Sequence, residues 1–175
     1  MKNFLIILAF PLFLFGCNQK NENKKIDLKT TSLIKKDISK VLNNWHKAAS
    51  KADYNSYFEK MDSISVFIGT DATENWTKKQ FEAYSKPHFD KGKAWSFSAL
   101  ERNIYVNNTG NFAWFDELLK TQMGTCRGSG VLEDSNGSWK IKHYVLSVSI
   151  PNEDINAVIL AKQKNDSIFL RKFQK

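Results

Sequence analysis

Asp116, Arg127 and His143 are the residues whose types can do chemistry together. A carboxylate can serve as a general base, an imidazole can shuttle a proton, and a guanidinium can anchor an anionic group. They meet only if three successive strands present them on one face. Alternate residues of a strand share a face. Phe112, Trp114, Asp116 and Leu118 then lie together, as do Thr125, Arg127, Ser129 and Val131, and Trp139, Ile141, His143 and Val145. On a concave side these sets make a cavity with aromatic walls and few polar groups, the usual composition of a small-molecule pocket. The expected ligand-binding residues are Trp114, Asp116, Arg127, Ser129, Trp139 and His143, with Tyr84 and His88, one helical turn apart, capping the mouth. Asp116 and His143 are the catalytic pair if the protein is an enzyme.

Each residue also has a plainer role. Trp114 and Trp139 can be core wedges, Asp116 and Arg127 a buried ion pair, and His143 an interior histidine. Tyr84 and His88 can pack on the sheet with polar tips at its rim. A slip of one residue in register sends Glu117 inward and Asp116 out.

Other chemistries fit less well. His46, His88 and His143 lack metal-ligand spacing, and the sequence holds neither C-x-x-C nor H-E-x-x-H. Arg127-Gly128-Ser129-Gly130 is not the G-x-S-x-G elbow of a hydrolase. Gly124, Gly128 and Gly130 form no nucleotide loop, so no cofactor and no metal is expected. Ile68–Glu74 is a polar loop that edges the cavity or simply makes a turn. Cys126 reads as a small buried hydrophobe.

The elements that must position these residues follow from periodicity. Leu33, Ile34, Ile38, Val41, Leu42, Trp45, Ala48, Ala49 and Ala52 recur at helical spacing, with Ser32 as the cap. Asp53 opens a short helix through Tyr57 and Phe58. Ser63–Ile68 reads as a strand stopped by Gly69. Thr77 with Gln80 fits a capping box, opening a helix that buries Phe81, Tyr84, His88 and Phe89, with Pro87 kinking it or starting a new turn. Four long strands follow, at 95–106, 112–121, 125–134 and 139–150, the last two joined by Asn136-Gly137. Glu153 and Asp154 then favour a helix start. The layout is α+β: a cone-shaped curved antiparallel sheet wrapped around N-terminal helices.

The N-terminus fixes where the protein is expected to work. Lys2 precedes an apolar run from Phe4 to Phe15, shorter than the ~20 residues a membrane span needs. Leu14-Phe15-Gly16-Cys17 resembles the lipobox of bacterial lipoproteins. That resemblance implies a signal peptide at 1–16 and acyl chains (palmitate among them) on Cys17. The partner is then a membrane, and the location the bacterial cell envelope outside the cytoplasm. A flexible tether follows at 17–31, a domain at 32–162 and a C-terminal tail at 163–175. The net charge is +8, and 20–51 carries nine lysines against Glu22, Asp27 and Asp37. Part of this suits an anionic bilayer surface, and part a solubilising linker and helix face. Nucleic acid is not an expected partner, because no recognition motif accompanies the charge.

Three stretches carry a family resemblance: Gly110–Glu117, Cys126–Leu132 and Gly137–His143. In order and motif they resemble the nuclear transport factor 2-like superfamily, in its SnoaL-like branch, over about Leu33 to Ile150. The last run looks like the family's closing tryptophan, isoleucine and histidine. A second histidine that many members carry is Val145 here, and Ser147 keeps the serine. The family includes isomerases, cyclases, dehydratases, binding proteins and scaffolds, so the fold alone does not choose among them. Three readings stand: a noncatalytic module that binds a small hydrophobic ligand or a partner, an enzyme doing proton transfer on a small hydrophobic substrate, and a homodimer formed through the outer face of the sheet.

Overall fold

The computed structural model describes residues 26–174; the expected signal peptide, Cys17 and the first part of the tether lie outside the described residues. Helix α1 spans Leu28–Ser50 and is capped by Asp27, whose Oδ1 accepts from the Thr30 N–H at 2.6 Å. The helix therefore starts ahead of Ser32, and residues 28–31 of the expected tether belong to it. Asp27 caps more strongly than a hydroxyl at Ser32 because its charge also favours the positive helix end. One face of α1 buries Ile38, Leu42, Trp45, His46, Ala48 and Ala49. Helix α2 (Tyr54–Glu59) is capped by Asp53, as expected, and buries Tyr57 and Phe58.

Strand β1 (Met61–Ile68) is followed by a short β2 (Asn75–Thr77), which has no counterpart in the expected layout. Helix α3 (Lys78–Asp90) opens on the complete Thr77–Gln80 capping box. Pro87 does not restart it: the helix runs through the proline to Asp90. The proline falls in the last turn, so the missing donor costs one bond near an end that frays anyway. The buried residues of α3 are Phe81, Ser85 and Phe89; Tyr84 and His88 are exposed.

Strands β3 (Phe97–Val106), β4 (Phe112–Thr121), β5 (Gly124–Ser135) and β6 (Ser138–Val148) form the meander. The sheet order is β2-β1-β6-β5-β4-β3. Every pair is antiparallel except β1 with β6, so the curved, unclosed sheet is mixed. Its bend has visible causes. Register breaks occur at Ala99/Glu101 and at Val131/Leu132, and such bulges sharpen twist and curvature. Gly128 and Gly130 are buried on the inner face of β5. A Cβ on Gly130 would lie 2.5 Å from the His143 carbonyl and 2.8 Å from the Phe115 ring.

The core fills the concave side. Trp45, Tyr57, Phe81 and Tyr144 meet there with Leu119, Leu132 and Ile141, all essentially inaccessible. After β6, a 3₁₀ turn (Asn152–Asp154) leads into helix α4 (Ile155–Leu170), none of whose residues is buried. The expected tail thus continues that helix to Leu170 and ends in a second 3₁₀ turn.

Candidate functional site

The register of β4 decides the inside of the cone. Ala113, Phe115, Glu117 and Leu119 are buried, whereas Trp114 is 46% exposed. Asp116 pairs across β5 with Ser129, and Trp114 with Val131, which in turn faces His143 on β6. Trp114, Asp116, Arg127, Ser129 and His143 therefore stand on the outer face, not around a cavity. This corrects the expected site. The physical reason is that β4 is apolar on both faces, so alternation alone could not choose between them. The choice falls to its neighbour: Gly130 and Gly128 sit opposite Phe115 and Glu117 and leave room for those side chains. Glycines two apart in a strand were the legible signal for the crowded side.

Asp116 and Arg127 do not form the expected ion pair; Arg127 faces Leu118, and Asp116 accepts from Asn103 Nδ2 at 3.1 Å. Trp139 stays with Ile141 on the inner side and packs, half buried, against the core. His88 only tilts against the Tyr84 ring at 5.5 Å.

Inside the cone lies a buried polar network. Glu117 is wholly buried. Its Oε1 meets His46 Nε2 at 2.7 Å and accepts from the Tyr144 hydroxyl at 3.1 Å. Its Oε2 takes Arg102 in a fork, Nε at 2.8 Å and Nη2 at 2.6 Å. Arg102 Nη1 donates to Asn43 Oδ1 at 2.7 Å and to the carbonyl and hydroxyl of Ser39, both at 3.3 Å. A carboxylate has about four lone-pair sites, and all are engaged. Burial pushes the Glu117 carboxyl up, but the hydrogen bond from His46 and the charges of His46 and Arg102 outweigh it and hold the group below its ordinary value. Burial, and then the Glu117 charge, raise the Tyr144 phenol well above its ordinary range. This network holds helix to sheet, and its carboxylate is sealed from solvent.

An open cleft lies beside the network, between α3, the β1–β2 loop and the turn joining β4 to β5. Its volume is about 140 Å³, close to the ~150 Å³ cavity that accepts one benzene. Near-parallel rings build its walls: Phe67 on Phe81 at 3.9 Å, Trp76 on Phe81 and Phe81 on Trp95 both at 5.6 Å, and Trp76 on Tyr84 at 4.5 Å. Phe97, Met123 and Leu146 complete the apolar lining, and Thr70, Glu74 and Gln122 supply polar groups. Among the expected site residues only Tyr84 lines this cleft. The Ile68–Glu74 loop does edge it, as one of its two sequence readings had it. Trp76 and Met123 escaped the sequence reading because a three-residue strand and a turn carry them, with no periodicity to mark a face; Trp95, expected to open the strand 95–106, lies in the loop ahead of Phe97.

Among the described residues no group of three or more histidine, cysteine or acidic side chains is placed to hold a metal. Cys126 is buried and free, as its reading as a small hydrophobe required. No described helix is long and apolar enough to cross a membrane.

Comparison with known proteins agrees with this architecture. An NTF2-like protein of unknown function from Pseudomonas putida KT2440 superposes with a TM-score of 0.60 at 13% identity, covering 70% of this chain and 91% of that one. The association domain of CaMKII from C. elegans gives 0.58 at 18% identity, over 70% of this chain and all of that one. An NTF2-like protein from Cytophaga hutchinsonii gives 0.54 at 16%, covering 71% and 100%. At these identities the likeness is one of fold. No curated protein matches the chain. The SnoaL-like domain family matches residues 38–151, most of the chain. With helices first, a curved unclosed sheet after them and that match across both, the chain belongs to the SnoaL-like domain family of NTF2-like proteins.

Proposed function

We propose that the protein is a noncatalytic module that binds a small, ring-sized ligand while held at a membrane of the bacterial envelope by lipid on Cys17. One observation carries the binding: an open cleft of about 140 Å³ walled by stacked aromatic rings. The closed state of the interior network supports the absence of catalysis. An enzyme needs an acid or base that reaches substrate. Glu117 is fully engaged, Asp116 and His143, the expected catalytic pair, stand on the far side of the sheet, and Glu74, the one charged residue lining the cleft, has no histidine or second acid beside it in that lining.

The test is native mass spectrometry of protein purified from its own source, followed by titration of the recovered compound against tryptophan fluorescence. Trp76 and Trp95 line the cleft, so binding there shifts the emission, and Trp76→Ala weakens it at least tenfold. Turnover of the compound, or binding indifferent to Trp76→Ala, overturns the reading. For the anchor, Cys17→Ser is expected to leave an uncleaved precursor that takes up no labelled palmitate; normal labelling removes the lipid from the proposal.

A specific observation favours self-association as a second role. On the outer face Tyr105 and Trp114 stack at 5.7 Å, 43% and 46% exposed, beside an exposed Phe112. Exposed aromatics grouped on a sheet face are typical of interaction surfaces. The C. elegans CaMKII association domain, named for association, shares this fold. A homodimer through this face predicts that Trp114→Glu lowers the sedimentation coefficient to that of a monomer. An unchanged coefficient counts against it.

A further inference from the structure

The cleft carries a charge signature that the binding reading does not use. Its walls are aromatic, and among its lining residues the one charged side chain is Glu74. That is an acid in a chain of net charge +8. Its position is built. The β1–β2 loop closes through Gly69 N–H to the Glu74 carbonyl and Glu74 N–H to the Asp71 carbonyl, both at 2.9 Å. The side chain folds back over Gly69, where a Cβ would collide with Glu74 Oε2. Its polar contact is the Asp71 N–H, donating to Oε2 at 3.2 Å. Lys162 and Lys172 line a second, neighbouring cavity over the same loop, which Glu74 also borders. Among the described residues no cationic side chain lies within 4.0 Å of the Glu74 carboxylate.

Aromatic faces attract cations through their quadrupole, most strongly for tryptophan and then tyrosine. An unpaired carboxylate beside such rings adds attraction for the same charge and repels anions. Volume sets the size: space for about one benzene also takes a trimethylammonium head. The geometry points to a small organic cation, an alkyl- or methylammonium head group, as the ligand of this cleft, held between the Trp76, Tyr84 and Trp95 rings and the Glu74 carboxylate. This rests on the binding reading above and narrows it to one chemical class.

Three probes of one shape test it on the full chain: choline, its neutral isostere 3,3-dimethylbutan-1-ol, and anionic 3,3-dimethylbutanoate, each followed by calorimetry and tryptophan fluorescence. Choline is expected to bind at least tenfold more tightly than the alcohol, and the anion weakest. Glu74→Gln keeps an acceptor for the Asp71 N–H, so the loop stays closed; it brings choline down to the affinity of the alcohol. Trp76→Ala weakens both. Equal binding of choline and alcohol by the unaltered protein, or tighter binding of the anion, overturns the cation assignment while the binding module stands. Failure of all three probes at millimolar concentration overturns the assignment. A co-purified ligand that is not a cation then still supports the broader reading. An empty cleft in protein from the native source removes both.

Discussion

Glu117 is the residue through which the interior can be tested. Three elements converge on its carboxylate: α1 through His46, β3 through Arg102 and β6 through Tyr144. Removing one partner of a buried ionic group leaves the others desolvated and unpaired, which costs about 3–5 kcal/mol. Glu117→Gln strands Arg102 in this way and is expected to lower stability by about that much, read as a fall in the urea midpoint at pH 7. The pH profile gives a second readout. The folded state holds the Glu117 carboxyl below its ordinary value of 4.5. Its stabilisation is therefore complete above that value and fades as pH falls through it toward the lowered folded-state value. Asp27, Asp53, Asp62 and Asp71 are shifted the same way by their hydrogen bonds, so acid weakens the variant too. The Glu117 contribution is the difference: the gap between parent and variant should shrink below pH 4.5. A gap constant with pH would show that the carboxylate is not ionised in the fold. The sequence offered Glu117 only as the alternative to Asp116. Adjacent acids on a strand with apolar residues on both faces carry no mark of their own; the β5 glycines leave room for Glu117 on the inner side, and Arg102, a strand away in sequence, pairs with it there.

At the scale of elements, legibility followed the local signal. Strand β4 has the bounds that the pattern predicted, and the α3 start was written in Thr77 and Gln80, whose reciprocal bonds form. The start of α1 was misplaced because Asp27 lies in a lysine- and asparagine-rich stretch without apolar periodicity. The β1–β6 pairing was not legible either: parallel partners almost eighty residues apart leave no turn to announce them. Strand β5 holds the sharpest element-level test. Gly128 lies where a side chain would strike the Tyr144 hydroxyl, with Glu117 Cγ at 3.1 Å. Gly128→Ala is expected to destabilise by about 1–3 kcal/mol through overpacking. Much of that collision is with one hydroxyl, so the same substitution in a Tyr144→Phe background should cost less. The double-mutant cycle, measured by urea denaturation, then shows coupling on the order of 1 kcal/mol. Additive costs would mean that the strand relieves the clash by moving its backbone.

The described residues form a packed cone and a helix outside it. The cone draws its stability from aromatic residues on α1, α2, α3 and β6 that meet in one cluster. Helix α4 takes no share in that cluster. Ile155, Ile159, Leu160, Ile168 and Leu170 are all exposed, and its Lys162–Asp166 pair is a surface bridge. An isolated helix of its sixteen residues is marginal in water, because most helical stability comes from a packed face. Surface pairs add only about 0.3–0.5 kcal/mol each. In a dilute monomer its amides should therefore exchange with solvent orders of magnitude faster than those at the centres of β5 and β6, where opening requires the domain to unfold. Removal of residues 155–175 should leave the urea midpoint of the cone within experimental error. Amide exchange followed by mass spectrometry decides the first point and denaturation the second. Slow exchange across 155–170, or a large loss of stability on truncation, would mean that the helix is covered in solution. The apolar side chains it displays would then belong to the core of a larger assembly rather than to the surface of this one.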